Sequence, residues 1–186
     1  MMFGKKRPVS RHVDEYATFE NFREVFTEGM DELYQLSFLL TGDHRKAEQG
    51  FVGGLEDSVR GNPVFKEWAH SWAKRAIIQN AIRALKPRPS ATSLPLALPP
   101  NAVPQPSDQD RHVELDAVIT LEDFERFVFV MSVLELYSEH ECSVLLGCPP
   151  RAIREARVRA LAQLTNSRAT FLPSKVNFET VQEFVP

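Results

Sequence analysis

Ser138 to Leu164 reads SEHECSVLLGCPPRAIREARVRALAQL, and its punctuation predicts two helices joined by a tight turn. Ser138 is a good N-cap, and Glu141 three positions on completes a capping box. Gly147 is placed for the turn, since glycine enters the left-handed region at no steric cost. Pro149 and Pro150 suit the start of the second helix, whose first N–H groups lack intrahelical partners anyway. In that helix Ile153, Ala156 or Arg157, Ala160, Leu161 and Leu164 form the expected buried stripe. Arg151, Arg154 and Arg159 then point outward. This is the pattern of a helix-turn-helix whose second helix faces a polyanion. Arginine suits that task because its planar fork supplies both charge and paired hydrogen bonds to a phosphate or a guanine edge. The spacing leaves open the plainer reading of a solvated basic face on a surface helix.

Upstream, Leu121 to Leu136 carries Phe124, Phe127, Val128, Met131, Val133 and Leu134, a broad apolar helical face. Val113 to Ile119 is weakly periodic. Before it, Pro87, Pro89, Pro95, Pro99, Pro100, Pro104 and Pro106 exclude regular helix or an interior strand, so 87–111 reads as an extended, flexible linker. A first helical block precedes the linker. Phe19, Phe22, Phe26, Met30, Leu33 and Leu40 recur at helical steps and predict one amphipathic helix, bent near Gly29. Gly42 and Asp43 end it and cap a second helix from about Arg45 to Val59. That helix is weakened by Gly50, Gly53 and Gly54, each costing about 1 kcal/mol against alanine in a helix interior.

After the break at Gly61-Asn62-Pro63, Phe65 to Leu85 reads as a strong helix with Phe65, Trp68, Trp72 and Ala76 near one face. Lys66, Lys74, Arg75, Asn80 and Arg83 interleave with its tryptophans. Cations beside aromatics suit stacking on an unpaired base while holding its backbone. The competing reading, favoured for each tryptophan singly, makes them core residues at an i, i+4 spacing. The tail from Thr165 is mixed, with a short helix expected near Phe178 to Phe184. The expected architecture is therefore all-α. A helical domain at 14–86 and a helix-turn-helix domain at 112–166 flank the linker, and a tail occupies 167–186.

At 186 residues and 43% hydrophobic content the chain can build a real core, and its net charge of −3 excludes a generic polyanion binder. The average hides segregation. Asp14 to Asp57 is acidic, Lys66 to Arg88 basic, Glu114 to Glu141 acidic and Arg151 to Arg168 basic. Two basic patches on an acidic chain point to local anion contacts. Cys142 and Cys148 make no disulfide scaffold and fit a reducing compartment. No apolar stretch follows Lys5, Lys6 and Arg7, so no secretory signal is expected, and Phe127 to Met131 is too short to span a membrane. A cytoplasmic protein is expected. His140, Cys142 and Cys148 lack the second close pair of a structural zinc site, and His44, His70 and His112 are isolated. No glycine-rich phosphate loop, Ser/His/Asp arrangement or paired carboxylates can be read. Neither a cofactor, nor a small-molecule substrate, nor enzymatic activity is expected.

Taken together the blocks resemble the extracytoplasmic-function (ECF) sigma factors of bacterial RNA polymerase. LYQLSFLLTGDHRKAEQGFVGGLEDSVR, Leu33 to Arg60, resembles that family's L-Y-x-L-A-x-x-L-T-G-D-x-x-x-A-E-D-L-V-Q-E-T-F segment. FKEWAHSWAKRAIIQNAIR, Phe65 to Arg83, resembles its F-x-x-W-L-x-x-I-A-R-N helix. LEDFERFVFVMSVLELYSEHECSVLLG, Leu121 to Gly147, resembles L-x-x-x-E-R-x-V-F-x-x-x-x-L-E-x-x-S-x-x-E-I-A-x-L-L-G, and Arg159-Ala160-Leu161 matches the closing R-A-L. The linker lies where the family keeps its inter-domain connection.

The resemblance implies a region 2-like first domain and a region 4-like second one. It implies polymerase docking through Ala47, Glu48, Phe51 and Leu55. It implies a melted promoter strand held near Lys66, Trp68, Trp72, Lys74, Arg75, Asn80 and Arg83. It implies duplex reading by Arg151, Arg154, Arg157 and Arg159. The implied partners are core RNA polymerase, promoter DNA and an anti-sigma factor. The chain departs from the family at Gln49, Gly50, Val52 and Gly53 in the docking segment. It departs also at Arg75, Pro149, Pro150, Glu155 and Arg157. A sigma-like fold retained as an interaction or regulatory module, without promoter recognition, is the alternative those departures support.

Overall fold

The computed structural model describes residues 15–89 and 115–171, with side chains described through 166. These residues are all-α, and their only β pairing is an isolated bridge between Tyr16 and Phe65. The first block contains α1 (Phe19–Glu28), α2 (Met30–Thr41), α3 (His44–Arg60), a 3-10 turn (Lys66–Trp68) and α4 (Ala69–Leu85). The second contains a short helical stretch at 115–119, α5 (Asp123–Phe129) continued by a π turn (Val130–Leu134), α6 (Glu139–Leu146) and α7 (Pro150–Phe171). The expected linker lies almost wholly outside the described residues, as does the helix expected near 178–184.

Local chemistry sets most boundaries. The helix expected to bend near Gly29 is instead two helices meeting there, and a Cβ on Gly29 would lie 2.9 Å from the Val25 carbonyl oxygen. Gly42 ends α2 in the left-handed conformation at φ 64°, and the Asp43 side chain accepts the Lys46 N–H at 2.9 Å to start α3. The second block repeats the device. Ser138 and Glu141 form a reciprocal capping box, and Gly147 closes α6 at φ 63°.

The glycines of α3 do something the sequence reading did not foresee. A Cβ on Gly50 would meet Ser37 Oγ at 2.6 Å, and one on Gly53 would meet Asn80 Oδ1 at 2.5 Å. On Gly54 it would meet Ile77 Cγ1 at 2.5 Å and the Ile77 backbone nitrogen at 3.2 Å. Absent side chains let α2 and α4 close on α3, so what is lost in helix propensity returns as packing. The buried stripe of α4 is correspondingly small, with Ala69, Ala73, Ala76, Ile77, Ile78 and Ala81 facing inward.

One apolar cluster runs through both blocks. Leu33, Leu36, Leu40, Ile77 and Ala81 of the first share it with Phe124, Phe127, Met131, Ile153 and Ala160 of the second. Arg126, only 5% exposed, is the polar seam. Its Nε donates to the Leu40 carbonyl at 3.1 Å and its Nη2 to that of Thr41 at 3.4 Å. Nη1 donates to the Ile119 and Leu121 carbonyls at 3.2 and 3.0 Å, and Asp123 pairs with Nη2 at 2.5 Å. A cation from the second block thus satisfies the last carbonyls of α2, where the helix dipole favours positive charge.

Candidate nucleic-acid interface

The first surface is the α6–turn–α7 unit. Ile153, Ala156 and Ala160 are fully buried, which fixes the rotation of α7. Arg151 and Arg154 then project outward near its N-terminal end, where a recognition helix meets base edges. Each is in contact with an acid. Arg151 Nε lies 2.7 Å from Glu155 Oε1, and Arg154 Nε lies 3.2 Å from Glu139 Oε1 on α6. Such exposed pairs are worth at most about 1 kcal/mol, so a phosphate can displace the carboxylate.

Arg157 is half-buried on the side of Cys142. Arg159 corrects the outward expectation. Its side chain is 14% exposed and turned inward, with Nη2 2.7 Å from Glu125 Oε1. Glu125 itself is 2% exposed, and its Oε2 has no hydrogen-bond partner among the described residues. A buried carboxylate needs a cation, and Arg159 of α7 delivers one.

The second surface is a cleft of about 690 Å³ between the start of α4 and the segment after α5. The helix expected from Phe65 begins instead as the 3-10 turn, because residues 15–17 pair with 64–66 first. Ala17 N–H donates to Val64 at 2.7 Å and Lys66 N–H to Glu15 at 2.9 Å. Tyr16 stacks on Phe65 at 5.0 Å, and Phe65 meets Trp68 edge-on at 5.3 Å. The turn throws Trp68 out of the core, leaving it 56% exposed, and Trp72 is half-buried. The core reading favoured for each tryptophan is thereby corrected for Trp68, whereas Trp72 does pack, partly buried, against the small cluster of Phe22, Val64 and Ala69.

Both tryptophans line the cleft, together with Lys74 and Arg75. Lys66 is exposed beside it. Asn80 and Arg83 are elsewhere, both bonded to Asp57 of α3, the Asn80 amide at 3.0 Å. Burial opposes the charge on Lys74, but Glu32 at 2.6 Å and Glu135 at 2.9 Å outweigh it and hold its pKa above the ordinary lysine value. The same bond from Lys74 keeps Glu32 below the usual carboxylate range. Lys74 therefore clasps the blocks across the cleft.

Leu136 and Tyr137 of the second block line the cleft too. The π turn places them, with Glu135 N–H donating to Val130 at 2.9 Å and Tyr137 N–H to Met131 at 2.9 Å. Between these bonds Leu136 takes φ 57°, ending the helix expected to run through 136. Burial raises the Tyr137 pKa, so its hydroxyl stays a neutral donor.

The residues expected to dock a polymerase divide sharply. Ala47 is fully buried, and its carbonyl accepts Ser37 Oγ at 2.7 Å. Phe51 packs edge-on against Phe26 at 5.2 Å, and Leu55 packs against the core. Glu48 is exposed, beside Val52 and Val59 on the same helix. The sequence reading missed Arg126, Glu135, Leu136 and Tyr137. A lone arginine within FERFVFV was the readable signal for the first. Nothing local announced the others.

Charge segregation along the chain becomes pairing in space. The basic segment of α4 meets the acids before it through Lys74–Glu32 and Arg83–Asp57. The basic segment of α7 meets its own through Arg154–Glu139 and Arg159–Glu125. No group of three His, Cys, Asp or Glu side chains among the described residues is placed to hold a metal. Burial pushes the Cys142 thiol up to about 11, so it is not a thiolate nucleophile at neutral pH. Among the described residues no helix is long and apolar enough to cross a membrane. No protein-family model matches the chain, and no curated protein matches it in sequence.

Proposed function

We propose that this chain is a sigma-factor-like transcription initiation protein that binds core RNA polymerase and recognises promoter DNA, without chemistry of its own. The observation that supports it most is the seating of α7, which turns Arg151 and Arg154 outward at the N-terminal end of a capped helix-turn-helix. In this reading α7 enters a major groove, and the Trp68/Trp72 face holds the unpaired strand. Glu48 and the exposed valines of α3 supply the polymerase contact. An anti-sigma-type regulator and a cytoplasmic location belong to the same reading.

The test is co-purification of the chain with core polymerase at micromolar concentration, followed by open-complex formation on promoter DNA. Polymerase capture and strand opening are expected; failure to bind polymerase removes the proposal. Arg154→Ala should weaken duplex binding by roughly 1–3 kcal/mol if it reads a base, or flatten the salt dependence if it holds a phosphate. An unchanged affinity and salt slope would take α7 off the DNA.

One set of observations favours a second reading. Most cations of both surfaces have acidic partners within the chain, Ala47 is buried, and the blocks share a core. A sigma-like fold kept as a protein-interaction or regulatory module would look the same. That reading predicts a folded, monodisperse protein that captures neither polymerase nor promoter.

A further inference from the structure

We infer that the segment following α7, residues 172–186, turns back and packs its apolar side chains on the outward stripe of α7, covering Val158 and Leu161 beside Arg154. The packing stands on the stripe and on the segment's own sequence. Its consequence, a segment that competes with duplex DNA, rests on the role proposed above for α7.

The rotation that buries Ile153, Ala156 and Ala160 brings out Arg151, Arg154, Val158, Leu161 and Thr165 at steps of three and four, all of them exposed. A helix face that meets only water carries polar groups at such positions. Here the two arginines give way to two apolar side chains one turn apart. Val158 is 38% exposed and Leu161 44%, and neither belongs to an apolar cluster of the described residues.

Reach, pattern and charge name the occupant. α7 ends at Phe171. From there back to Leu161 is about 15 Å along the helix, at about 1.5 Å per residue. Residues 172–177, extended, span about 20 Å, so Phe178 reaches the stripe. In the helical register expected near Phe178 to Phe184, Phe178 and Val181 share a face that Val185 would continue, and Glu179 and Glu183 lie on the other side. Two apolar stripes can then close on each other, as when an amphipathic helix lays its apolar face on an apolar surface. Glu179 and Glu183 outnumber the single cation of the segment, Lys175, whereas the outward charges of α7 include Arg151 and Arg154. Opposite charge draws the segment in. Once it is seated, the two carboxylates face outward, where they repel an approaching phosphate backbone.

The test is chymotrypsin cleavage of the full chain, with the products at Phe178 followed by mass spectrometry. When a segment opens and closes quickly, cleavage tracks the population of its open form. Val158→Ser combined with Leu161→Ser, both outside the core, should speed cleavage about tenfold or more, because closure loses its apolar partner. Val181→Ser, outside the described residues, should speed it about tenfold and gives a second variant should the first misfold. Equal rates in wild type and both variants would overturn the packing. Protection that grows with protein concentration would overturn the contact within one chain in favour of a second copy.

Duplex binding is measured separately, with a mixed-sequence duplex at low salt. Val181→Ser should bind it about tenfold more tightly than wild type, in step with the freed stripe. Faster cleavage with unchanged duplex affinity would overturn the competition and keep the packing. Duplex binding with equal cleavage rates would overturn the packing and keep the DNA role of α7. Faster cleavage with no duplex binding by either protein would remove that DNA role alone.

Discussion

Two arginines from the second block carry more structural consequence than the exposed pair that faces solvent. Arg126 holds carbonyls from α2 and from the approach to α5, and Arg159 neutralises Glu125 in the interior. Removing one member of such a buried arrangement leaves unsatisfied groups in a dry site, which typically costs several kcal/mol. Arg126→Met and Arg159→Ala should each lower stability by about 3 kcal/mol in urea unfolding. Arg151→Ala, at an exposed i,i+4 pair, should stay within about 0.5 kcal/mol of wild type. A small effect at Arg159 would return that side chain to the list of DNA contacts. Neither role was readable locally, since Arg126 meets Leu40 across 86 positions of sequence and Arg159 meets Glu125 across 34.

At the scale of elements, α3 shows how a residue's cost depends on what it faces. Gly54 admits the backbone of Ile77, so Gly54→Ala gains helix propensity and loses the close crossing of α3 and α4. Overpacking a tight core costs typically 1–3 kcal/mol, more than the roughly 1 kcal/mol that propensity returns. The variant should therefore melt lower than wild type, as thermal unfolding by circular dichroism would report. A rise in Tm would mean that the helices can separate to accept a methyl group.

The contrast marks what the sequence could tell. Ser138, Glu141, Gly42, Asp43 and Gly147 act through neighbours within five residues, and their roles were legible. The glycines of α3, the outward turn of Trp68 and the left-handed Leu136 depend on partners elsewhere in the chain. Periodicity therefore misassigned them or passed over them. The candidate site divides the same way: the outward Arg151 and Arg154 followed from helical spacing, whereas the place of Leu136 and Tyr137 in the lining of the cleft required the packed structure.

At the scale of the molecule, the helical blocks meet through shared apolar side chains, the Lys74 clasp and the buried Arg126. Leu33, Leu40 and Phe127 belong to a single cluster, so unfolding should appear as one transition by every probe. Separate transitions for the Trp68/Trp72 fluorescence and the far-ultraviolet signal would show that the blocks melt independently.

The guanidinium of Arg126 has one more implication. The α2 carbonyls it satisfies belong to residues far earlier in the chain, and they wait for a donor that is synthesised much later. A polypeptide severed between residues 89 and 115 should consequently behave as two complementary pieces that recognise each other. Neither would mature alone, and mixing them should restore the native circular-dichroism spectrum. The covalent tether would then govern only how fast the halves find one another.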